Sequence, residues 1–237
     1  DRLEDNFWPK NEVDLTSYYP VLRKWVKKRI LPEKLTEDLA FILGALISEG
    51  SISDKKIEFC NTDLSWIESF QDKWKILFPD STLHKFKKQP SSYGKKEYYR
   101  LECHCLYTLE FLRNIGLMNV KADKKTIPKL ILQSPKNIVK EFLVAYFEGD
   151  GSISYSGHMT ELSAISKSEK LINELQILFL RFGIESAKRY DKWRFTNKLY
   201  IRGKRNLLKF YKEIGFISER KKVKLEFVVL IYKNDYS

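Results

Sequence analysis

Two acidic residues stand at matching places in the chain, Glu49 in FILGALISEGSIS (41–53) and Asp150 in FLVAYFEGDGSIS (142–154). Each closes an apolar run and is followed by Gly-Ser-Ile-Ser. In each run two small residues sit four apart, Gly44 and Ser48 in the first, Ala145 and Gly149 in the second. Residues at that spacing share a helix face, and without bulk they let a second helix backbone come close. Around them Ile42, Leu43, Leu46 and Ile47, and likewise Leu143, Tyr146 and Phe147, are apolar on nearly every side, the pattern of buried helices. The runs therefore read as two helices built to touch, with the acids at their ends.

A helix C-terminus already carries unpaired carbonyl oxygens and partial negative charge, so an acid there is unfavourable by up to about 1 kcal/mol. A bound cation reverses that sign. Carboxylate and backbone carbonyl oxygens are the ligands of a hard ion, Mg2+ first, with Mn2+ or Ca2+ able to take the same places. Glu49 and Asp150 are the candidate metal ligands, with the carbonyls of Ser48 and Gly149 as companions. Gly50 and Gly151 suit the left-handed position that ends many helices. One such acid reads as an ordinary surface residue in a helix-ending turn; two copies with the same exit do not.

The elements that position these acids are themselves duplicated. LSWIESFQDKWKILF (64–78) matches EKLINELQILFLRFG (169–183) in amphipathic spacing, and LYTLEFLRNIGLMNVKADKK (106–125) matches NLLKFYKEIGFISERKKVK (206–224), Ile115-Gly116 falling on Ile214-Gly215. Each half reads as a motif helix, two strands, a helix, two strands, a helix and a basic segment. Strands are expected near 56–60, 82–88 and 97–104, then near 158–165, 185–190 and 193–202. Thr36 with Glu37 and Asp38 is expected to start the first motif helix, and Ser134 as cap with Pro135 the second. The expected division is an extension over 1–35 and half-domains over 36–133 and 134–237. In the extension, the Arg23–Arg29 run reads as a basic helix face, either a further nucleic-acid contact or a solvated packing helix.

Composition narrows the class. Lys and Arg outnumber Asp and Glu 43 to 31, giving +12, and 43% of residues are hydrophobic, which marks a globular chain with a polyanion as its natural partner. Three cysteines make no disulfide framework, which points to a reducing compartment. Alternation along a strand explains Cys103 and Cys105 better than a zinc site. No stretch reaches membrane-spanning length and no secretory signal pattern opens the chain, so an intracellular location in cytoplasm, nucleoid or organelle matrix is expected. The start at Asp1 reads as a processed or excised segment, and the ends lack the residues of protein splicing, so self-splicing is not expected.

ILGALISEG (42–50) and LVAYFEGDG (143–151) resemble the LAGLIDADG motif of homing endonucleases in its two-motif, single-chain form. The first copy departs in having Ile47 at the place of the motif's first acid and Glu49 in place of Asp. The resemblance implies an α+β fold of pseudo-twofold tandem αββαββα units, whose two antiparallel sheets form a saddle on double-stranded DNA. It further implies a monomer that makes an Mg2+-dependent double-strand break with short 3′ overhangs in a long asymmetric target. Intron-encoded and intein-inserted members both belong to that family.

The same resemblance places a basic residue after the last helix of each half. The Ile-Gly alignment pairs Lys125 with Lys224 as the catalytic lysines, with Lys121, Lys124, Lys221 and Lys222 as rivals. Asn61 and Lys167, after the second strand of each half, are further candidates for the pocket. On the strands themselves, basic residues interleave with aromatic and aliphatic ones: Lys85, Lys87, Lys95, Lys96 and Arg100 in the first half, Lys188, Arg189, Lys192, Arg194, Lys198 and Arg202 in the second. A two-stranded ribbon fits the major groove, so these are the candidate DNA contacts. The alternative is a nucleic-acid-binding protein without cleavage on the same scaffold, an intron RNA maturase or a DNA-binding regulator. A metabolic enzyme is disfavoured because no Gly-rich nucleotide fingerprint and no EF-hand acids are present.

Overall fold

The structure, a computed structural model, describes residues 8–90, 96–156 and 159–234. Its first half runs α1 (Glu37–Glu49), β1 (Gly50–Ile52), β2 (Ile57–Asn61), α2 (Leu64–Leu77), β3 (His84–Lys88), β4 (Tyr98–Cys103) and α3 (Leu106–Asn114). A short helix α4 (Lys129–Leu132) leads into the second half. There α5 (Lys136–Asp150), β5 (Gly151–Tyr155), β6 (Thr160–Ser166), α6 (Glu169–Arg181), β7 (Ala187–Asp191), β8 (Thr196–Arg202) and α7 (Lys204–Glu213) repeat the order, and α8 (Glu219–Asn234) follows. The two four-stranded sheets are antiparallel, with orders β1-β2-β4-β3 and β5-β6-β8-β7.

Helix starts follow local chemistry. Thr36 accepts from the Leu39 amide at 3.2 Å, Asp63 from Trp66 at 3.3 Å and Ser168 from Leu171 at 3.1 Å, each satisfying an amide that the first turn leaves open. Ser134 departs from its expected role. Its buried hydroxyl donates to the Leu130 carbonyl at 2.6 Å, so it closes α4 instead of opening α5.

Each sheet turns one face to the helices. Ile57 and Phe59 on β2, Leu101 and Cys103 on β4, Leu162 and Ala164 on β6, and Leu199 and Ile201 on β8 all point into the helix layer. Phe59 stacks on Phe70 of α2 at 4.3 Å and meets Trp66 edge-on at 4.9 Å.

At the centre, α1 and α5 lie side by side with like ends together. Asn137, in the first turn of α5, donates to Glu37, in the first turn of α1, at 2.7 Å, while at the other ends Ser48 meets Gly149. A methyl group on Gly44 would stand 2.3 Å from the Phe142 carbonyl oxygen, and one on Gly149 would stand 2.4 Å from Ser48 Oγ. Both small residues are thus required by backbone approach across the pair. Gly50 and Gly151 are not left-handed, as expected from their place after a helix; both are extended, at φ −93° and −79°. Space explains them instead, since a side chain there would meet Leu46 at 2.5 Å and the Phe147 carbonyl at 2.3 Å. The chain turns from helix directly into strand at both places, and only a residue without Cβ fits beneath.

The Arg23–Arg29 run is not helical. It forms a turn closed by Val26 N to Arg23 O at 2.9 Å, in a stretch bounded by Pro20 and Pro32, where five closely spaced cations would repel along a helix.

Candidate active site

The parallel arrangement of α1 and α5 brings their C-terminal ends, and with them Glu49 and Asp150, to one place. Glu49 opens onto a cleft of about 430 Å³ together with Asn61, Lys96, Gly149 and Lys221. Protein atoms crowd both acids. Burial pushes the Glu49 carboxyl above its ordinary value against the opposing charges of Lys221 and Lys125. Asp150 is pushed up to about 7, first by burial and then by the Glu49 charge, with Lys125, Tyr146 and Lys221 pulling the other way. The Glu49 charge acting on Asp150, and the two lysines acting on both acids, place them in one electrostatic unit. The Tyr146 hydroxyl is fully buried, has no hydrogen-bond partner of ordinary geometry, and interacts with Asp150.

Two lysines reach the same pair of helix ends. Lys125 Nζ donates to the Ile47 carbonyl at 2.7 Å. Lys221 Nζ donates to the carbonyls of Phe147 at 3.2 Å, of Gly151 at 2.8 Å, and of Glu148. Ile47 and Glu148 hold equivalent positions in the two motifs, so the lysines are related by the internal symmetry and each takes up carbonyls that a helix end leaves unpaired. Burial lowers the pKa of both ammonium groups, against the pull of the acids. The structure thus brings Lys125 and Lys221 to the helix ends, and it does not bring Lys224 there. The Ile-Gly alignment missed this because the two halves differ after the glycine. Residues 117–125 run through an extended stretch and a 3-10 turn (Ala122–Lys124), whereas α8 begins at Glu219, and Lys221 lies in its first turn on the buried face with Leu225 and Val228. Lys224 is exposed on α8, as are Lys222, and Lys121 and Lys124 in the first half.

The two lysines are held by different means. In the second half, the buried Glu148 accepts from the amides of Ile217 at 2.7 Å and Ser218 at 3.0 Å, fixing the loop that starts α8. Ile47 can do nothing similar. The Lys125 segment is instead anchored by the other half, with Ser168 donating to the Lys125 carbonyl at 2.7 Å and Glu174 accepting from Ile127 N at 2.7 Å.

Cross-strand register divides the strand cations between two faces, because directly opposed residues point the same way. Arg100 opposes Phe86, and Lys88 follows on that helix-free face, whereas Lys85 and Lys87 oppose Leu101 and Tyr99 and point to the helix side. Arg189 opposes Lys198, while Lys188 opposes the buried Leu199 and reaches Asn173 of α6 at 2.6 Å. Lys198 and Arg202 flank the buried Glu161, and Arg100 pairs with Glu102 at 2.9 Å. Burial raises both glutamates, but it is outweighed, for Glu102 by hydrogen bonds from Lys56 and His104 and the charges of Arg100 and Lys56, and for Glu161 by the hydrogen bonds and charges of Lys198 and Arg202, so both stay below the usual range. Lys167, Lys192 and Arg194 are exposed in loops, Lys96 lines the acid cleft, and Lys95 lies outside the described residues. The helix-free face thus carries Arg100, Arg189, Lys198 and Arg202 of the expected contacts, adds Lys88, and loses Lys85, Lys87 and Lys188.

A family profile for the LAGLIDADG-like domain matches residues 36–116 and again 137–215. The chain belongs to this family, in tandem form. Three proteins of Methanocaldococcus jannaschii are among its curated relatives. It is 32% identical over 90% of its length to a replication factor C small subunit, 28% over 85% to the DNA-directed RNA polymerase subunit Rpo1C, and 27% over 84% to a glutamine–fructose-6-phosphate aminotransferase. It spans only 12%, 22% and 18% of those proteins. The fold is shared with full-length DUF199/WhiA from Thermatoga maritima (TM-score 0.57, 16% identity, 85% of this chain and 61% of that one). It is shared also with the homing endonuclease I-DmoI, as mesophilic variants (0.58, 12%, 81% and 98%) and in complex with DNA and Mn (0.55, 11%, 76% and 97%).

Proposed function

We propose that this chain is a site-specific DNA endonuclease of the homing type, making a metal-dependent double-strand break with short 3′ overhangs in a long asymmetric target. The observation that carries the reading is the acid pair Glu49 and Asp150, each with a lysine at its helix end, in a chain whose two sheets both carry cations on their helix-free faces. An acid pushed up to about 7 beside the buried Lys221 and the half-buried Lys125 still lacks positive charge. The donors fit a hard cation, being carboxylate and carbonyl oxygens. Among the described residues no cluster of three or more His, Cys, Asp or Glu completes a cage, which suits Mg2+, an ion that keeps waters and takes phosphate oxygens.

Glu49 and Asp150 would hold the cation, with the carbonyls of Ser48 and Gly149 alongside. The cation would supply an activated water and charge neutralisation at phosphorus. Lys125 and Lys221 add fixed positive charge in a low-dielectric pocket, where it stabilises the transition state more than it would in water. Arg100, Arg189, Lys198 and Arg202, with Lys88, would meet DNA as their side chains leave Glu102 and Glu161. The relatives support a portable module: a replication factor, an RNA polymerase subunit and an aminotransferase have unrelated names and share with the chain only this segment. Intein and intron settings both fit such a module, and the catalytic unit is one chain. The test is incubation of the protein with Mg2+ and plasmids carrying randomised inserts, reading linear product.

A second reading is favoured by the shared fold with DUF199/WhiA, a protein whose name carries no endonuclease activity. In it the chain is a DNA-binding regulator, or binds intron RNA, without cutting. DNA binding with no cut under any divalent ion would select it.

A further inference from the structure

The segment before α1 has no counterpart in the second half, yet it is firmly held. Leu15 N donates to Glu33 O at 2.8 Å and Leu35 N to Val13 O at 3.0 Å, closing residues 13–35 into a loop. Tyr19 donates to the Leu31 carbonyl at 3.1 Å, Asn114 of α3 to the Tyr18 carbonyl at 2.9 Å, and Leu22 and Val26 pack on the core. From this base the turn projects Arg23, Lys24, Lys27 and Lys28, all exposed, around a groove of about 530 Å³ floored by Tyr107. Trp25, in the same turn, is 73% exposed.

These four cations differ from those on the sheets. Arg100, Lys198 and Arg202 each sit on a glutamate, whereas Arg23, Lys24, Lys27 and Lys28 form no ion pair among the described residues. Among the described residues, no acid has to be displaced before they take an anion. Their place also bears on what they meet. Ile30 N donates to Asp80, and Tyr107 opens α3, so the turn stands where β3 begins and β4 ends. The opposite end of those strands is beside the acids, because Lys96, Glu97 and Asn61 share the Glu49 cleft. A strand of that length separates the turn from the acid pair by on the order of 15–20 Å, or roughly five base pairs of duplex or more.

We propose that the Arg23–Lys28 turn is a second nucleic-acid contact, a phosphate clamp that grips duplex DNA outside the segment covered by the two sheets. It rests on the DNA-binding reading above and adds to it a sequence-independent grip on one flank only, since the second half has no such loop. The asymmetry would orient the chain on its target as well as hold it.

Phosphate contacts do not depend on sequence, so the test uses a mixed-sequence duplex of about 40 base pairs across a salt series. Replacing all four cations together (Arg23→Ser, Lys24→Ser, Lys27→Ser, Lys28→Ser) should flatten the dependence of log affinity on log salt by about 3.6, at roughly 0.9 for each contact. The charge-preserving set Lys24→Arg, Lys27→Arg and Lys28→Arg should leave the slope in place. In the wild-type complex, Lys24, Lys27 and Lys28 should be shielded from acetylation, read by mass spectrometry. An unchanged slope, or equal labelling of these lysines with and without duplex while Lys198 is shielded, overturns the clamp and leaves DNA binding by the sheets intact. Loss of affinity for an RNA hairpin alone also overturns it. Failure of the wild-type chain to bind duplex at all removes both readings together.

Discussion

Replacing Asp150 with Asn should make the metal-free protein more stable at neutral and alkaline pH, although it removes a central residue of the site. The wild-type carboxyl stands at about 7 in the folded chain against an ordinary 3.8. Between those values the folded chain holds a proton that the unfolded chain has released, so stability falls as pH rises. Below 3.8 the group is neutral in both states and costs nothing; above 7 the full penalty is present. At about 1.4 kcal/mol per pH unit the penalty is on the order of 4 kcal/mol at most, and water at the half-buried carboxyl screens part of it. Urea unfolding in EDTA at pH 5, 6, 7 and 8, followed by tryptophan fluorescence, should show Asp150→Asn gaining at least about 1 kcal/mol on the wild type at pH 8, with a smaller gain at pH 5. Adding Mg2+ at pH 8 should raise the wild type and leave the variant nearly unmoved, as expected of a ligand that binds only the folded acid pair. A variant less stable than the wild type at pH 8, or a difference that does not change with pH, would refute the reasoning that burial and Glu49 together strain this carboxylate.

Lys221→Met should impair cutting of one strand, so that supercoiled plasmid accumulates as nicked circle, while Lys224→Met should cut within about twofold of wild type, a free-energy change near 0.4 kcal/mol. Glu148→Ala should also favour nicked over linear product, because losing the acceptor for the Ile217 and Ser218 amides loosens the loop that seats Lys221, at about 1–3 kcal/mol; full double-strand cutting by this variant would show that the loop needs no such anchor. Gly149→Ala should lower the melting temperature by overpacking against Ser48, at about 1–3 kcal/mol, and calorimetry reads it directly. On the sheets, Lys88→Ala should reduce the salt slope of DNA binding by about 0.9 while Lys85→Ala leaves it unchanged, a contrast that follows from register alone.

The duplicated motif was legible because its signals are local. Small residues four apart, an acid and a glycine exit specify a close helix pair without reference to the rest of the chain, and Gly44 and Gly149 are where that closeness is enforced. Three features were not legible, each for a physical reason. Lys221 stood only as a rival because the second half reaches its helix end six residues after the glycine, Gly215 to Lys221, where the first half takes nine, Gly116 to Lys125, so a gap-free alignment runs three residues past it to the exposed Lys224. Which strand cations share the helix-free face was not legible because a shift of one residue in a strand reverses every side chain, and charge on an edge strand is tolerated on either side. Glu148 drew no attention as a structural acid because its partners are backbone amides 69 and 70 residues away. Gly50 and Gly151 were correctly read as obligatory but for the wrong reason, since crowding by the preceding turn and left-handed backbone both demand glycine and leave the same letter in the sequence.

The central claim is that Glu49 and Asp150 jointly hold a cation that cuts DNA. The most direct measurement is cleavage selection from a plasmid library with randomised inserts, run in Mg2+ with the wild type and with Asp150→Asn, and with duplex binding measured in parallel. Linear product is expected from the wild type and none from the variant, with comparable duplex affinity for both. Linear product from Asp150→Asn would contradict the assignment of the acids, and wild-type binding without a cut in Mg2+, Mn2+ or any other divalent ion would contradict the nuclease itself.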